Sequence, residues 1–300
     1  MGLAVADQEA PQEDAQEETQ EVVEAHATSA NEARPVGPFF VGAPLRRRLS
    51  RSAAAPLLAL ALLGSCAPDR AAIDAAALEG TSPHSFRGPA GSLEGRLFGP
   101  DDATAGVVLA HGLSADQSSW FTFADRLGDG GYRVLTFNFR GYCPAGDLGC
   151  SAGERDVGST PEDLAAAVRT IRADGVRRLA IVGSSMGGTA SLVLAADLGE
   201  GIDGVAALSA PTQIEDLAAG PDVLARISAA KLFIAGNEDT TAAQAAETFF
   251  NESQQPKTYE ILTTSDHGAA ILRGNQGERA RDLIETWLAA HVPVVEPSAA

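Results

Sequence analysis

The chain has 300 residues, 45% of them hydrophobic, which is enough for one α/β domain with a large core. Its formal net charge of −18 argues against a nucleic-acid binder, which needs a basic footprint, and no stripe of Lys and Arg runs through the body of the sequence. The charge is uneven: residues 1–33 hold nine acids and neither Lys nor Arg. A segment so poor in large apolar side chains buries too little surface to offset its ordering entropy, so disorder is expected there.

A different pattern follows. Arg46-Arg47-Arg48-Leu49-Ser50-Arg51 is basic, residues 53–63 are apolar, and Leu63-Gly64-Ser65-Cys66 is a small-residue stretch ending in cysteine. A basic patch, a short apolar core and small residues before a break read as a secretory signal, and the apolar run is too short to span a bilayer as a helix. The stretch ending at Cys66 resembles the lipobox of bacterial lipoproteins. That resemblance implies a diacylglyceryl group on Cys66, a mature chain starting there, and anchoring at the extracytoplasmic face of the cell membrane, where two acyl chains hold firmly. The other reading is a plain cleaved signal with a chance cysteine. Because signals sit at the true N-terminus, translation is expected to begin downstream, at Val36, Val41 or Leu45. The expected organisation is a leader over 1–45, a signal over 46–66, a linker over 67–84, a folded domain over 85–291 and a loose tail over 292–300. Cys143 and Cys150 remain, and in an exported, oxidising setting they are expected to pair. Such a short ring adds about 2 kcal/mol; the alternative is two free thiols.

From residue 85 onward, strands and helices alternate with short loops. Residues 85–86 and 93–98 read as an antiparallel opening around a turn at 89–91. Residues 106–110 form a continuous apolar run, as in a strand covered on both faces. A helix over 119–127 ends in the glycines of 128–131, and a strand spans 132–139. Thr160 is expected to cap a helix that has Pro161 at its first position and Leu164, Val168 and Ile171 as its apolar stripe. Strands are expected over 178–182, 202–208, 231–235 and 257–262. Helices are expected over 188–198, 214–227 (interrupted at Gly220-Pro221), 242–250 and 278–291. This alternation implies an α/β fold, with a mostly parallel sheet, helices on both faces and reactive groups at the carboxyl ends of the strands.

Gly183-Ser184-Ser185-Met186-Gly187 lies between an expected strand and an expected helix, the context of a nucleophile elbow. Ser185 is the centre of the G-x-S-x-G pattern, and Ser184 is its competitor. The loop after the 231–235 strand reads Gly236-Asn237-Glu238-Asp239, and the loop after the last strand reads Thr263-Thr264-Ser265-Asp266-His267-Gly268. A serine hydroxyl is a poor nucleophile until a base takes its proton. His267 suits that task because imidazole titrates near neutral pH. Asp239 would orient the ring, with Glu238 as the alternative. Asp266 adjoins His267 and so points away from it. The N–H of Met186, directly after the nucleophile, would be one donor to a developing oxyanion. Carboxylates and histidines do not cluster at metal-ligand spacing, so no metal or cofactor is expected.

The chain order Ser, acid, His resembles that of the α/β-hydrolase superfamily over residues 85–290, and within it the small esterases and dienelactone-hydrolase-like members. The resemblance implies the α/β-hydrolase fold and Ser185, Asp239 and His267 as the catalytic triad. It places the second oxyanion donor at Leu113, in His111-Gly112-Leu113-Ser114, and gives His111 a structural role in that loop. Asn138-Phe139-Arg140-Gly141-Tyr142 resembles the family's D-x-R-G turn but has Asn138 for Asp and Cys143 for glycine. Only about 22 residues, 210–231, are available for a lid, so no large lid is expected and the site should be open. Trp120, Phe121 and Tyr142 are candidate walls for an apolar substrate group, or Trp120 and Phe121 pack a helix on the sheet. The implied activity is cleavage of a small-molecule carboxylic ester through an acyl-enzyme. Thioesters, lactones and peptides are open to the same triad, and a non-catalytic binding lipoprotein is the rival from another class.

Overall fold

The structure is a computed structural model that describes residues 77–79, 81–144 and 148–295. The acidic leader, the basic and apolar segment ending at Cys66, most of the linker and residues 296–300 lie outside the described residues.

Among the described residues ten strands, β1 (Ser82–Gly88), β2 (Gly91–Phe98), β3 (Ala105–Ala110), β4 (Arg133–Phe137), β5 (Arg178–Ser184), β6 (Gly204–Leu208), β7 (Gln213–Ile214), β8 (Leu217–Ala218), β9 (Ala230–Gly236) and β10 (Lys257–Leu262), are joined by helices and short turns. The helices are α1 (Phe121–Asp129), α2 (Thr160–Ala173), α3 (Met186–Leu198), the single turn α4 (Pro221–Leu224), α5 (Thr240–Glu252) and α6 (Gly277–His291). Eight strands form one sheet in the order β1-β2-β4-β3-β5-β6-β9-β10. β2 runs antiparallel to both neighbours, β1 and β4, and every pair from β4 to β10 is parallel. The carboxyl ends of the parallel strands therefore share one edge, where loops gather.

The sheet has an apolar layer on each face, which is why its inner strands read as unbroken hydrophobic runs. Alternation along β3 sends Val108 to one layer and Val107 and Leu109 to the other. The first layer takes Leu164 and Ile171 of α2, Ala190 and Leu194 of α3, and Phe249 of α5. The second takes Phe121 and Leu127 of α1 and Ile284 and Trp287 of α6. Lys231 of β9 is buried, and its ammonium donates to the carbonyls of Ile227 (2.9 Å) and Ala229 (2.7 Å). Burial, reinforced by the charge of Lys257, pushes its pKa down to about 8.

Four expectations are corrected. The stretch expected as the helix 214–227 opens instead as the hairpin β7–β8, with Glu215 at φ 51° in its turn, and only Pro221–Leu224 is helical. The position before Pro221 is disfavoured in the helical region, and Gly220 is extended there, so a helix begun at residue 214 could not run through it. Thr160 does not cap α2: the cap residue is Ser159, and the Thr160 hydroxyl donates to the Val157 carbonyl at 2.7 Å. The chain just past α6 is not loose at its start, because Val292 is buried and its N–H bonds to Leu288 O at 2.7 Å. The first strand begins at Ser82, inside the expected linker.

Candidate active site

β5 ends at Ser184, and α3 starts at Met186. Between them Ser185 holds φ 51° and ψ −119°, a conformation that costs a non-glycine residue of the order of 1–3 kcal/mol. The turn survives because its surroundings over-determine it. The Ser185 N–H donates to Leu208 O at the end of β6 (2.8 Å). A Cβ at Gly183 would lie 2.2 Å from Gly187 O, and one at Gly187 would lie 2.4 Å from Ala110 O. Only hydrogen fits at either place. The first N–H groups of α3 have no acceptor within the helix and carry the positive end of its dipole. Ser185 is half-buried, whereas Ser184 is buried and its Oγ accepts the Ala269 N–H at 2.9 Å.

The loop after β3 carries Leu113, beside the elbow: a Cβ at Gly112 would sit 3.2 Å from Ser185 Cβ. His111 is buried below it. Its Nε2 lies 3.1 Å from the Phe139 N–H, which can only donate, and its Nδ1 lies 2.8 Å from Gly112 O, which can only accept. The ring is therefore neutral with its proton on Nδ1, and burial pushes its pKa down to about 4. The Gly112 carbonyl and the Leu113 N–H belong to one peptide plane, so the imidazole aims that N–H. The Tyr142 hydroxyl donates to Leu113 O at 2.8 Å and lies 4.0 Å from Met186 Sδ. The Arg155 guanidinium covers the Tyr142 ring at 4.1 Å.

The loops after β9 and β10 are cross-linked. Asn237 N–H donates to Leu262 O (2.8 Å), Glu238 N–H to Thr264 O (3.2 Å), and Thr264 N–H to Asn237 Oδ1 (3.1 Å). This lattice brings His267 Nδ1 to 2.6 Å from Asp239 Oδ2. The Glu238 side chain makes no hydrogen bond to His267 among the described residues. Asp266 bonds to the Thr264 hydroxyl (2.9 Å) rather than to the imidazole. The His267 side chain is 52% exposed and that of Asp239 17%, so the ring is reachable from solvent while its partner is sheltered. Among the described residues no hydrogen bond joins Ser185 Oγ to His267. The link seen between their two loops is the one from Ala269 to Ser184.

Trp120 and Phe121 are buried in the layer under α1, and Tyr142 is buried beneath Arg155. The packing reading holds for the first two, and none of the three forms an open wall. Asn138, where the D-x-R-G pattern has Asp, accepts the Gln117 N–H (3.0 Å) and donates to Leu148 O (3.2 Å), which braces the loop after β4. Cys143 and Cys150 in that loop are joined by a disulfide. The contacts of Ser184 and Tyr142 carry no sequence signal, since each joins segments far apart in the chain.

A model of the alpha/beta hydrolase family matches residues 107–297. Among solved structures, the fold is similar to that of a dienelactone hydrolase from Anabaena variabilis, with a TM-score of 0.59 at 20% identity over 71% of this chain and 98% of that one. An esterase from Pyrococcus furiosus gives a TM-score of 0.59 at 17% identity, over 71% of this chain and 93% of that one. An a/b serine hydrolase without lid from Xanthomonas campestris gives 0.54 at 21% identity, over 72% of this chain and 97% of that one. None of the curated proteins matches the chain by sequence.

Proposed function

The chain belongs to the alpha/beta hydrolase family, and from that premise we propose that it is a serine hydrolase cleaving a carboxylic ester through an acyl-enzyme. The observation that carries this reading is the Asp239–His267 pair at 2.6 Å, held at the same sheet edge as the strained Ser185 at the start of α3. In the proposed reaction His267 Nε2 takes the Ser185 Oγ proton as the oxygen bonds to the ester carbonyl carbon. Asp239 keeps the other ring nitrogen protonated and stabilises the imidazolium. The carbonyl oxygen, now an oxyanion, is met by the N–H groups of Met186 and Leu113, each such donor contributing about 3 kcal/mol to the transition state. Collapse breaks the carbon–oxygen bond to the alcohol, which leaves with the proton from His267. Water then attacks the acyl-enzyme by the same steps in reverse roles. The Ser185–His267 hydrogen bond is expected to close in the substrate complex, where such bonds tighten.

Fluorophosphonate labelling tests the reading. Wild type should label and Ser185→Ala should not; equal labelling of the two would reject a serine nucleophile. A panel of p-nitrophenyl esters against aminoacyl nitroanilides separates ester from peptide cleavage, with turnover of the esters expected.

Attachment to the membrane through a lipidated Cys66 is part of the same proposal. It is supported by the basic, apolar and small-residue succession before that cysteine and by the Cys143–Cys150 bridge, which suits an oxidising compartment. Among the described residues no helix is long and apolar enough to cross a membrane. Cys66→Ser should move the protein from the membrane fraction to the soluble one, and unchanged fractionation would refute the anchor.

A further inference from the structure

We propose that Ser184, the residue before the proposed nucleophile, is a positioning residue whose hydroxyl holds the His267 loop in register with Ser185. The proposal rests on the serine-hydrolase reading above. Ser184 closes β5, and strand alternation sends its side chain to the face on which Val182, Ala269 and Ile271 pack. There its buried Oγ accepts the Ala269 N–H at 2.9 Å, across 85 positions of sequence. The fit is close: Gly268 sits at φ 58°, and a Cβ on it would come within 2.1 Å of Ser184 Oγ. The main chain on the C-terminal side of His267 therefore lies directly on this one hydroxyl.

Two anchors define where an imidazole stands. The carboxylate of Asp239 holds Nδ1, but a ring held only there can still swing about that contact. The second anchor is the backbone from which the ring projects, and Ala269 N–H on Ser184 Oγ supplies it two residues away. Ser184 and Ser185 share a peptide bond, and the Ser185 N–H is itself held by Leu208 O at 2.8 Å. The strap thus ties the loop of the base to the nucleophile by the shortest covalent route, so that displacements of the elbow carry the histidine with them. Misplacing a reacting group by about 1 Å can cost on the order of 10²-fold in rate, so a lost strap should appear in turnover. Because the Ser184 oxygen is buried and already engaged, it is not itself placed to attack a substrate.

The test compares Ser184→Ala, Ser184→Thr and Ser184→Val in the full chain, with a p-nitrophenyl ester as substrate. Ser184→Ala should lower kcat roughly tenfold with KM within about twofold, since the strap aligns the base and does not touch the substrate. Thr keeps the hydroxyl and Val has the same shape without it, so Thr should exceed Val in kcat by a similar factor. Wild-type kcat in Ser184→Ala, or equal kcat in the Thr and Val variants, would overturn the proposal. Amide hydrogen exchange at Ala269 in the wild-type protein needs no variant to fold: slow exchange is expected, and exchange at the rate of an open loop amide would overturn it. Labelling of Ser185→Ala keeps the two readings apart. If Ser185→Ala still labels, the serine-hydrolase reading fails; if it is silent while Ser184→Ala turns over at the wild-type rate, only the strap fails.

Discussion

Two carboxylates follow β9 in succession, and the backbone decides between them. Glu238 is committed through its N–H to Thr264 O, and its side chain is exposed. Asp239, one residue on, precedes α5 and meets His267 Nδ1. On the proposed mechanism Asp239→Asn should lower kcat by about 10³- to 10⁴-fold, because the amide favours the wrong imidazole tautomer. Glu238→Gln should stay within about twofold of wild type. Steady-state kinetics on one chromogenic ester checks both, and a large loss in Glu238→Gln would transfer the orienting role. The neutral, Nδ1-protonated His111 works at the same scale. It never meets the substrate in this reading, yet it aims the peptide that carries the Leu113 N–H.

At the level of elements, the elbow is where strand, turn and helix are fitted most tightly. α3 approaches β3 so closely that a Cβ on Gly187 would fall 2.4 Å from Ala110 O and 2.6 Å from His111 O, both main-chain atoms. Gly187→Ala must push the helix start away from β3 and from the His111 loop. Denaturant unfolding should report a loss of about 2–3 kcal/mol, with hydrolysis lost at the same time because the Met186 N–H moves with the helix. Unchanged stability would mean the two elements are less closely packed than described. The β7–β8 hairpin shows the opposite case. A short connection with weak local preference was free to become either a turn of helix or two bridging strands, and the extended Gly220 before Pro221 favoured the hairpin.

At the scale of the whole molecule, two groups buried on folding, His111 and Lys231, each make stability depend on pH. The His111 pKa falls from 6.5 to about 4 on burial, so between those values the unfolded chain holds the extra proton and acidification favours unfolding. Its contribution is full above pH 6.5 and is lost as pH falls to 4, a change of roughly 3 kcal/mol. The Lys231 pKa falls from 10.5 to about 8. The unfolded chain again binds more protons in that window, so this residue's contribution to stability rises from pH 8 to 10.5. Chemical denaturation of wild type and Lys231→Met across pH 8–10.5 isolates it. The wild type should gain on the variant as pH rises, and parallel curves would show that Lys231 does not titrate there.

Most of the architecture was legible in the residues. Unbroken apolar runs announced strands covered on both faces, the 3.6-residue stripe of Leu164, Val168 and Ile171 announced α2, and Gly183 to Gly187 announced a turn too tight for side chains. Those are local signals, set by backbone sterics and by which face of an element must leave water. Pairing is different. That Asp239 rather than Glu238 meets His267, and that Ser184 carries Ala269, follow from how segments 28 and 85 residues apart come together, and that Trp120 and Phe121 are interior follows from how α1 and its leading turn pack on the sheet. A hydrogen bond of a few ångströms depends on the folded path between its partners, and nothing in the identity of either residue specifies that path.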